Sequence, residues 1–133
     1  MSILDLTGAD IDNTFEPEVL PKGEEVELRI TGVNKDKNKN GEDYIMPFYE
    51  VVGMPRVKEF GDYLPLPNSN MNEKQLNQAR LKLKSFFIAF GIDYTGEVNL
   101  DECVGATGSA ILGMGKDMDD QPQNKISKYV AGH

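Results

Sequence analysis

Asp36 to Glu50 reads DKNKNGEDYIMPFYE, a stretch that opens like a calcium loop and closes like a β-strand full of aromatic rings. Asp36, Asn38, Asn40 and Gly41 match the first half of the EF-hand pattern, with oxygen ligands at alternate positions and a glycine at the sharp turn. The second half fails, because the position where a bidentate Glu must close the shell is Pro47. The flanks are also wrong for an EF-hand, which needs helices. Val26, Leu28 and Ile30 alternate with Glu27, Arg29 and Thr31, and Tyr44 to Val51 is dense in aromatic and β-branched residues, so both flanks read as strands. Asn40-Gly41 supplies the positive φ angles of a tight turn, and a turn between two such runs predicts a β-hairpin. No metal site is expected.

Working outward from this hairpin, the first strand begins at Glu24 and the second runs from Asp43 to Val52. Gly53-Met54-Pro55 turns the chain into a third strand over Arg56 to Leu64, and Pro65, Pro67, Asn68, Ser69 and Asn70 end the sheet pattern. NEKQLNQARLKLKSFFIAFG then predicts a helix with Asn72 as cap, Gln75 completing a capping box and Gly91 at the C-terminal end. Its apolar positions Leu76, Ala79, Leu83, Phe86, Phe87 and Phe90 share one face, with Lys74, Lys82 and Lys84 in solvent. NLDEC suggests a short helical turn, Ala106 to Gly115 a fourth strand and Lys125 to Val130 a fifth, joined by the acidic loop KDMDDQPQN. The order β-β-β-α-β-β predicts a mainly β fold, a five-stranded OB-fold barrel. An open antiparallel sheet with one helix across it is the alternative architecture. Residues 1–22 lack a sustained period and read as an acidic N-terminal arm, either flexible or draped over the domain, leaving 23–133 as the OB-fold domain.

A chain of 133 residues suits one such domain without disulfide or metal staples. Cys103 is the only cysteine and His133 the only histidine, so neither an intramolecular disulfide nor a Cys/His zinc cluster can form. No cofactor is expected. No apolar run of membrane length and no signal-peptide pattern is visible, which predicts a cytoplasmic protein without a membrane partner. The net charge of −8 argues at first against a polyanionic ligand. The uneven spread of that charge weakens the objection: up to Leu28 eight acids face only Lys22, whereas between Arg29 and Lys84 ten basic residues face seven acids.

Enzymatic chemistry is not expected. A positioned acid, base or nucleophile is missing, with histidine confined to the terminus and Cys103 reading as a buried structural thiol. GSAILGMGKD resembles a phosphate loop only faintly, since Ala110 stands where the first glycine belongs and Asp117 where a Ser or Thr must follow Lys116. Binding is better supported. Tyr44, Phe48, Tyr49, Phe60 and Tyr63 supply five of the chain's eleven Phe and Tyr residues within two strands, close to Arg56 and Lys58. Bases stack on such rings while cations hold the backbone. In the second strand Ile45, Tyr49 and Val51 share one face, expected to be core, and Tyr44, Met46 and Phe48 the other. The expected nucleic-acid contacts are therefore Tyr44 and Phe48 with Arg56, Lys58 and Phe60 beside them, and Lys35, Lys37 and Lys39 guiding phosphates from the hairpin tip.

KNGEDYIMPFYEVVG, followed by ARLKLKSFFIAFGI and later by LDECVGATGSAIL, resembles the small single-stranded-DNA-binding proteins of tailed-phage replication modules. The resemblance spans roughly Glu24 to Val130. It implies an OB-fold, sequence-tolerant binding of single-stranded DNA, replication or recombination proteins as further partners, and action in the host-cell cytoplasm during DNA replication, recombination or repair; oligomer formation stays open. Many such proteins carry an acidic C-terminal tail that recruits replication enzymes, whereas here the acid concentrates in the N-terminal arm. The alternative reading is an acidic protein-interaction module, an inhibitor or adaptor of a phage or host protein, which the −8 charge favours.

Overall fold

The computed structural model describes residues 2–131; the lone histidine, His133, lies outside them. The expected hairpin is its centre. β1 (Glu25–Lys37) and β2 (Asp43–Val51) pair antiparallel from Leu28↔Val51 to Lys37↔Asp43, and the first residues of β1 pair on the other side with β5 (Thr107–Lys116). A register shift between Ile30 and Gly32 bends β1 where it passes from one partner to the other. β6 (Pro122–Val130) flanks β5, and β3 (Phe60–Gly61) and β4 (Leu64–Pro65) both flank β2. The result is one six-stranded antiparallel sheet in the order β3-β2-β1-β5-β6, with β4 beside β3 against β2.

One helix covers it. α1 (Glu73–Ala89) starts at Asn72 with the full capping box, and it ends in a Schellman turn: Gly91 at φ +67° donates to Ile88 O, and Ile92 donates to Phe87 O. Ala79, Phe86, Ala89 and Phe90 are buried on its inner side. Phe87, expected in the core, is only half-buried and stacks on Tyr94 with ring centroids 5.5 Å apart. Phe86, Phe90, Tyr49 and Tyr129 form the aromatic centre between helix and sheet, with Tyr49 and Phe90 nearly parallel at 5.4 Å. Gly108 of β5 allows the close approach of the helix end, because a Cβ there would sit 2.5 Å from Ala89 O. Cys103 is buried at the end of the short helical turn Leu100–Cys103, and burial raises its thiol pKa.

Three expectations about the sheet need correction. The third strand is not continuous over Arg56 to Leu64. The backbone of Arg56 and Lys58 bonds instead to Glu18 of the arm, whose N–H donates to Arg56 O at 2.8 Å and whose carbonyl accepts from Lys58 N at 2.7 Å. Only Phe60–Gly61 and Leu64–Pro65 remain for β2. The sheet also does not close into a barrel, since β3 and β6 stand at opposite ends of the ladder. Side chains and the arm span the gap. Tyr129 donates to Asp62 at 2.6 Å and lies 2.7 Å from the Tyr49 hydroxyl, while the Asn124 side chain of β6 bonds to both N–H and C=O of Leu20 at 2.8 Å. Burial pushes both tyrosine phenols well above the usual value, so they act as neutral hydrogen-bonding groups. The arm is thus draped on the domain from Phe15 inward, although the side chains of residues 2–18 remain exposed. Lastly, of Asn40 and Gly41 only Gly41 has a positive φ, +78°; the turn is a three-residue loop of the bulged type, not a two-residue one.

Candidate nucleic-acid interface

Alternation along β2 sorts its side chains. Ile45, Pro47, Tyr49 and Val51 are buried, and Tyr44, Met46, Phe48 and Glu50 lie half-buried on the outer face, as the aliphatic pattern predicts. Directly opposed residues of an antiparallel ladder share a face, so the outer row is bordered by Asp36, Asn34 and Gly32 of β1 and by Pro65 and Gly61 on the other side. Gly61 is open because the row lies over it: a Cβ there would meet Met46 Cε and the Phe48 ring at 3.0 Å.

Tyr63 joins this row. It falls between β3 and β4, is 42% exposed, and its ring centroid is 4.6 Å from that of Tyr44. Its hydroxyl accepts from Asn38 Nδ2 at 3.2 Å and its carbonyl accepts from Lys82 Nζ at 2.9 Å, so both ends of the residue are tethered. The outer face therefore presents Tyr63, Tyr44, Met46 and Phe48 as a contiguous aromatic and thioether surface. Tyr63 and Lys82 were not among the expected site residues. A signal existed: Phe60 and Leu64 share one parity of the third strand run and are apolar, which leaves Gly61, Tyr63 and Pro65 for the outer face.

The same parity removes Phe60 from the site. It is 1% exposed, packs on Tyr49 with centroids 5.7 Å apart, and cannot present a face to a base. The cations are also placed differently from expectation. Lys58 forms an ion pair with Asp117 at the base of the β5–β6 turn, and this bond, with the Gln121 amide, lowers the Asp117 carboxyl pKa. The Arg56 guanidinium lies 5.1 Å over the Phe15 ring of the arm. Lys37 pairs with Asp43 at 2.7 Å and lowers that carboxyl in turn. Lys35 opposes Ile45, on the core-facing parity of the ladder, so Lys35 and Lys37 do not stand in register with the rings. Lys35 and Lys39 are exposed and without an ion-pair partner among the described residues. Around the rings lie acids as well as cations: Arg29 pairs with Glu50 at 2.8 Å, and Glu59 accepts from Thr31.

The structure thus brings two of the three expected rings, Tyr44 and Phe48, to one face with Tyr63 beside them, buries Phe60, and commits three of the five expected cations elsewhere. No family model and no curated protein matches the chain. Among the described residues no helix is long and apolar enough to cross a membrane.

Proposed function

We propose that the chain binds single-stranded DNA across the outer face of β1, β2 and the β3–β4 edge, with bases stacked on Tyr44, Phe48 and Tyr63. The carrying observation is the contiguous ring row, anchored by the Tyr44–Tyr63 pair and half-open to solvent. Base stacking on aromatic side chains is sequence-tolerant, and an intact duplex hides the base faces it needs. The strand order, with one helix between the third and fourth strand runs, supports reading the sheet as a partly open OB-fold whose ligand surface is this face. The resemblance to phage single-strand binders adds a setting in DNA replication, recombination or repair in the host cytoplasm. With Lys58, Arg56 and Lys37 already partnered, phosphate contacts are few, so log K falls with log salt by less than about 2, at roughly 0.7 per contact.

Fluorescence anisotropy with labelled oligo-dT and a duplex of equal length, at two salt concentrations, tests this reading. Tighter binding of the single strand, lost in a Tyr44→Ala, Phe48→Ala double variant that melts normally, supports it. Equal affinity for duplex, or no binding at all, overturns it. Asp36, Glu50 and Glu59 beside the rings favour the second reading, a docking face for a basic protein segment, and a chain that ignores oligonucleotides but retains a cationic peptide would point there.

A further inference from the structure

Beside the ring row, between β4 and the first turns of α1, lies a pocket of about 450 Å³. Tyr63 is its link to the outer face, because the residue that pairs with Tyr44 also lines this pocket. Met71 adds an apolar wall, and Glu42, Asn70, Gln78 and Lys82 bring polar groups to the rim. The size falls within the range of small-ligand sites, and an aromatic wall with a few convergent polar groups is their usual composition.

Three features make the pocket more than a surface dent. Tyr63 is held in place before any ligand arrives, by Asn38 at its hydroxyl and by Lys82 at its carbonyl. The Asn70 and Gln78 carboxamides have no protein partner among the described residues, so both are free to pair with a base edge. Glu42 is half-buried and only one of its oxygens is engaged, accepting from Asn38 Nδ2 at 3.3 Å, so the other is a fixed acceptor at the rim. The same Asn38 thus orients both the aromatic wall and the carboxylate.

We infer that this pocket takes one unstacked base of the bound strand, with a preference for bases that carry an exocyclic amino group. The inference rests on the single-strand reading above and adds a base-reading position to an otherwise tolerant surface. A carboxylate accepts a hydrogen bond from the amino group of cytosine, and carboxamides pair with the edges of adenine, whereas thymine offers carbonyl oxygens where the amino group would stand. Lys82 at the same rim is already engaged, paired with Asp62 at 3.4 Å and donating to the Tyr63 carbonyl, so it holds the aromatic wall in place rather than meeting a phosphate.

Two measurements on the full chain test it. In anisotropy titrations, oligo-dC binds roughly tenfold more tightly than oligo-dT to the native chain, the discrimination of one well-made base contact. Glu42→Gln combined with Gln78→Met brings the two oligomers to within about twofold, while Tyr63→Leu weakens both. Equal affinity for oligo-dC and oligo-dT, or a preference that survives the double variant, overturns the pocket and leaves single-strand binding standing. In a parallel titration by nuclear magnetic resonance, free dCMP shifts the side-chain amide signals of Asn70 and Gln78. If no oligomer binds, the single-strand reading and the strand-reading role of the pocket both fall, and shifts with dCMP would then mark only a site for a free nucleotide; oligomer binding without any dCMP shift overturns the pocket alone.

Discussion

The two hairpin tips, Asn38–Glu42 and Asp117–Gln121, share one backbone and differ in almost everything chemical. In each, the first residue donates its N–H to the carbonyl of the fifth at 2.9 Å, and the fourth residue has a positive φ, Gly41 at +78° and Asp120 at +61°. In each, one side-chain oxygen of the first residue accepts two N–H groups: Asn38 Oδ1 those of Asn40 and Glu42, Asp117 Oδ1 those of Asp119 and Gln121. The Asn tip is neutral at its pivot, is flanked by Lys35, Lys37 and Lys39, and spends its amide on Glu42 and on Tyr63. The Asp tip is anionic at its pivot and uses the second oxygen to hold Lys58. One turn geometry therefore serves two ends: the first tip steadies the ring face, and the second locks the Arg56–Lys58 segment across the gap in the sheet.

The largest expected effect separates the tips by ligand. Tyr44→Ala and Phe48→Ala, beside the Asn tip, each lower affinity for oligo-dT by about 1–3 kcal/mol in anisotropy titrations, with little change in melting temperature. Met118→Ala at the Asp tip, fully exposed in its turn, leaves affinity unchanged, and an equal loss there would erase the functional contrast.

Stability separates them next. Asn38→Ala removes an acceptor from two backbone donors and costs about 1–2 kcal/mol in denaturant unfolding. Asp117→Ala lowers stability further, since it also strands the half-buried Lys58 ammonium. The same tip gives a pH signature. Because Lys58 and the Gln121 amide lower the folded Asp117 pKa, its stabilisation is complete above the unfolded carboxylate value of about 3.9 and is lost as pH falls through the lower folded value. Asp117→Asn gives the second tip the pivot of the first, and melting curves between neutral and acid pH should then decline less. Asp43 at the first tip is also lowered, by Lys37, but both partners are largely exposed, so added salt weakens its contribution more than that of Asp117.

A smaller effect distinguishes the left-handed residues. Gly41→Ala forces a Cβ into positive φ and destabilises by about 1 kcal/mol, whereas Asp120→Gly relieves the same conformation and gains up to roughly 0.5 kcal/mol in the same unfolding assay. The smallest effect concerns the free lysines: Lys35→Gln with Lys39→Gln reduces the salt slope of oligo-dT binding by at most about 0.7 per residue. A larger drop would place these cations on the strand path despite their register.

Much of the fold was legible because its signals are local. The Asn72 capping box, Gly91 at the helix end and the alternation of β2 each depend on residues within a few positions, and all three stand in the structure as read. The short helical turn at Leu100–Cys103 and the buried thiol were legible for the same reason. Phe60 was misplaced because the third strand breaks into pieces too short to show a period, and Phe87, at the border of the helix face, packs against the core less deeply than expected. Of the site, Tyr44 and Phe48 were legible from parity, and Tyr63 was legible only once Phe60 and Leu64 are assigned to the core.

By itself the sequence determined the order of elements, the two faces of β2 and the position of the central hairpin, because side-chain direction repeats every two residues in a strand and every turn in a helix. Only the tertiary structure decided whether the sheet closes and which charges remain available. Lys58 meets Asp117 across 59 residues, Tyr129 meets Asp62 across 67, and Asn124 meets Leu20 across 104. Such pairs leave no periodic trace in the chain, since any lysine near a strand reads alike until the fold sets its partner. The sequence therefore showed which face Tyr44 and Phe48 take, and the fold determined that Phe60 is core and that Arg56, Lys58 and Lys37 are already partnered.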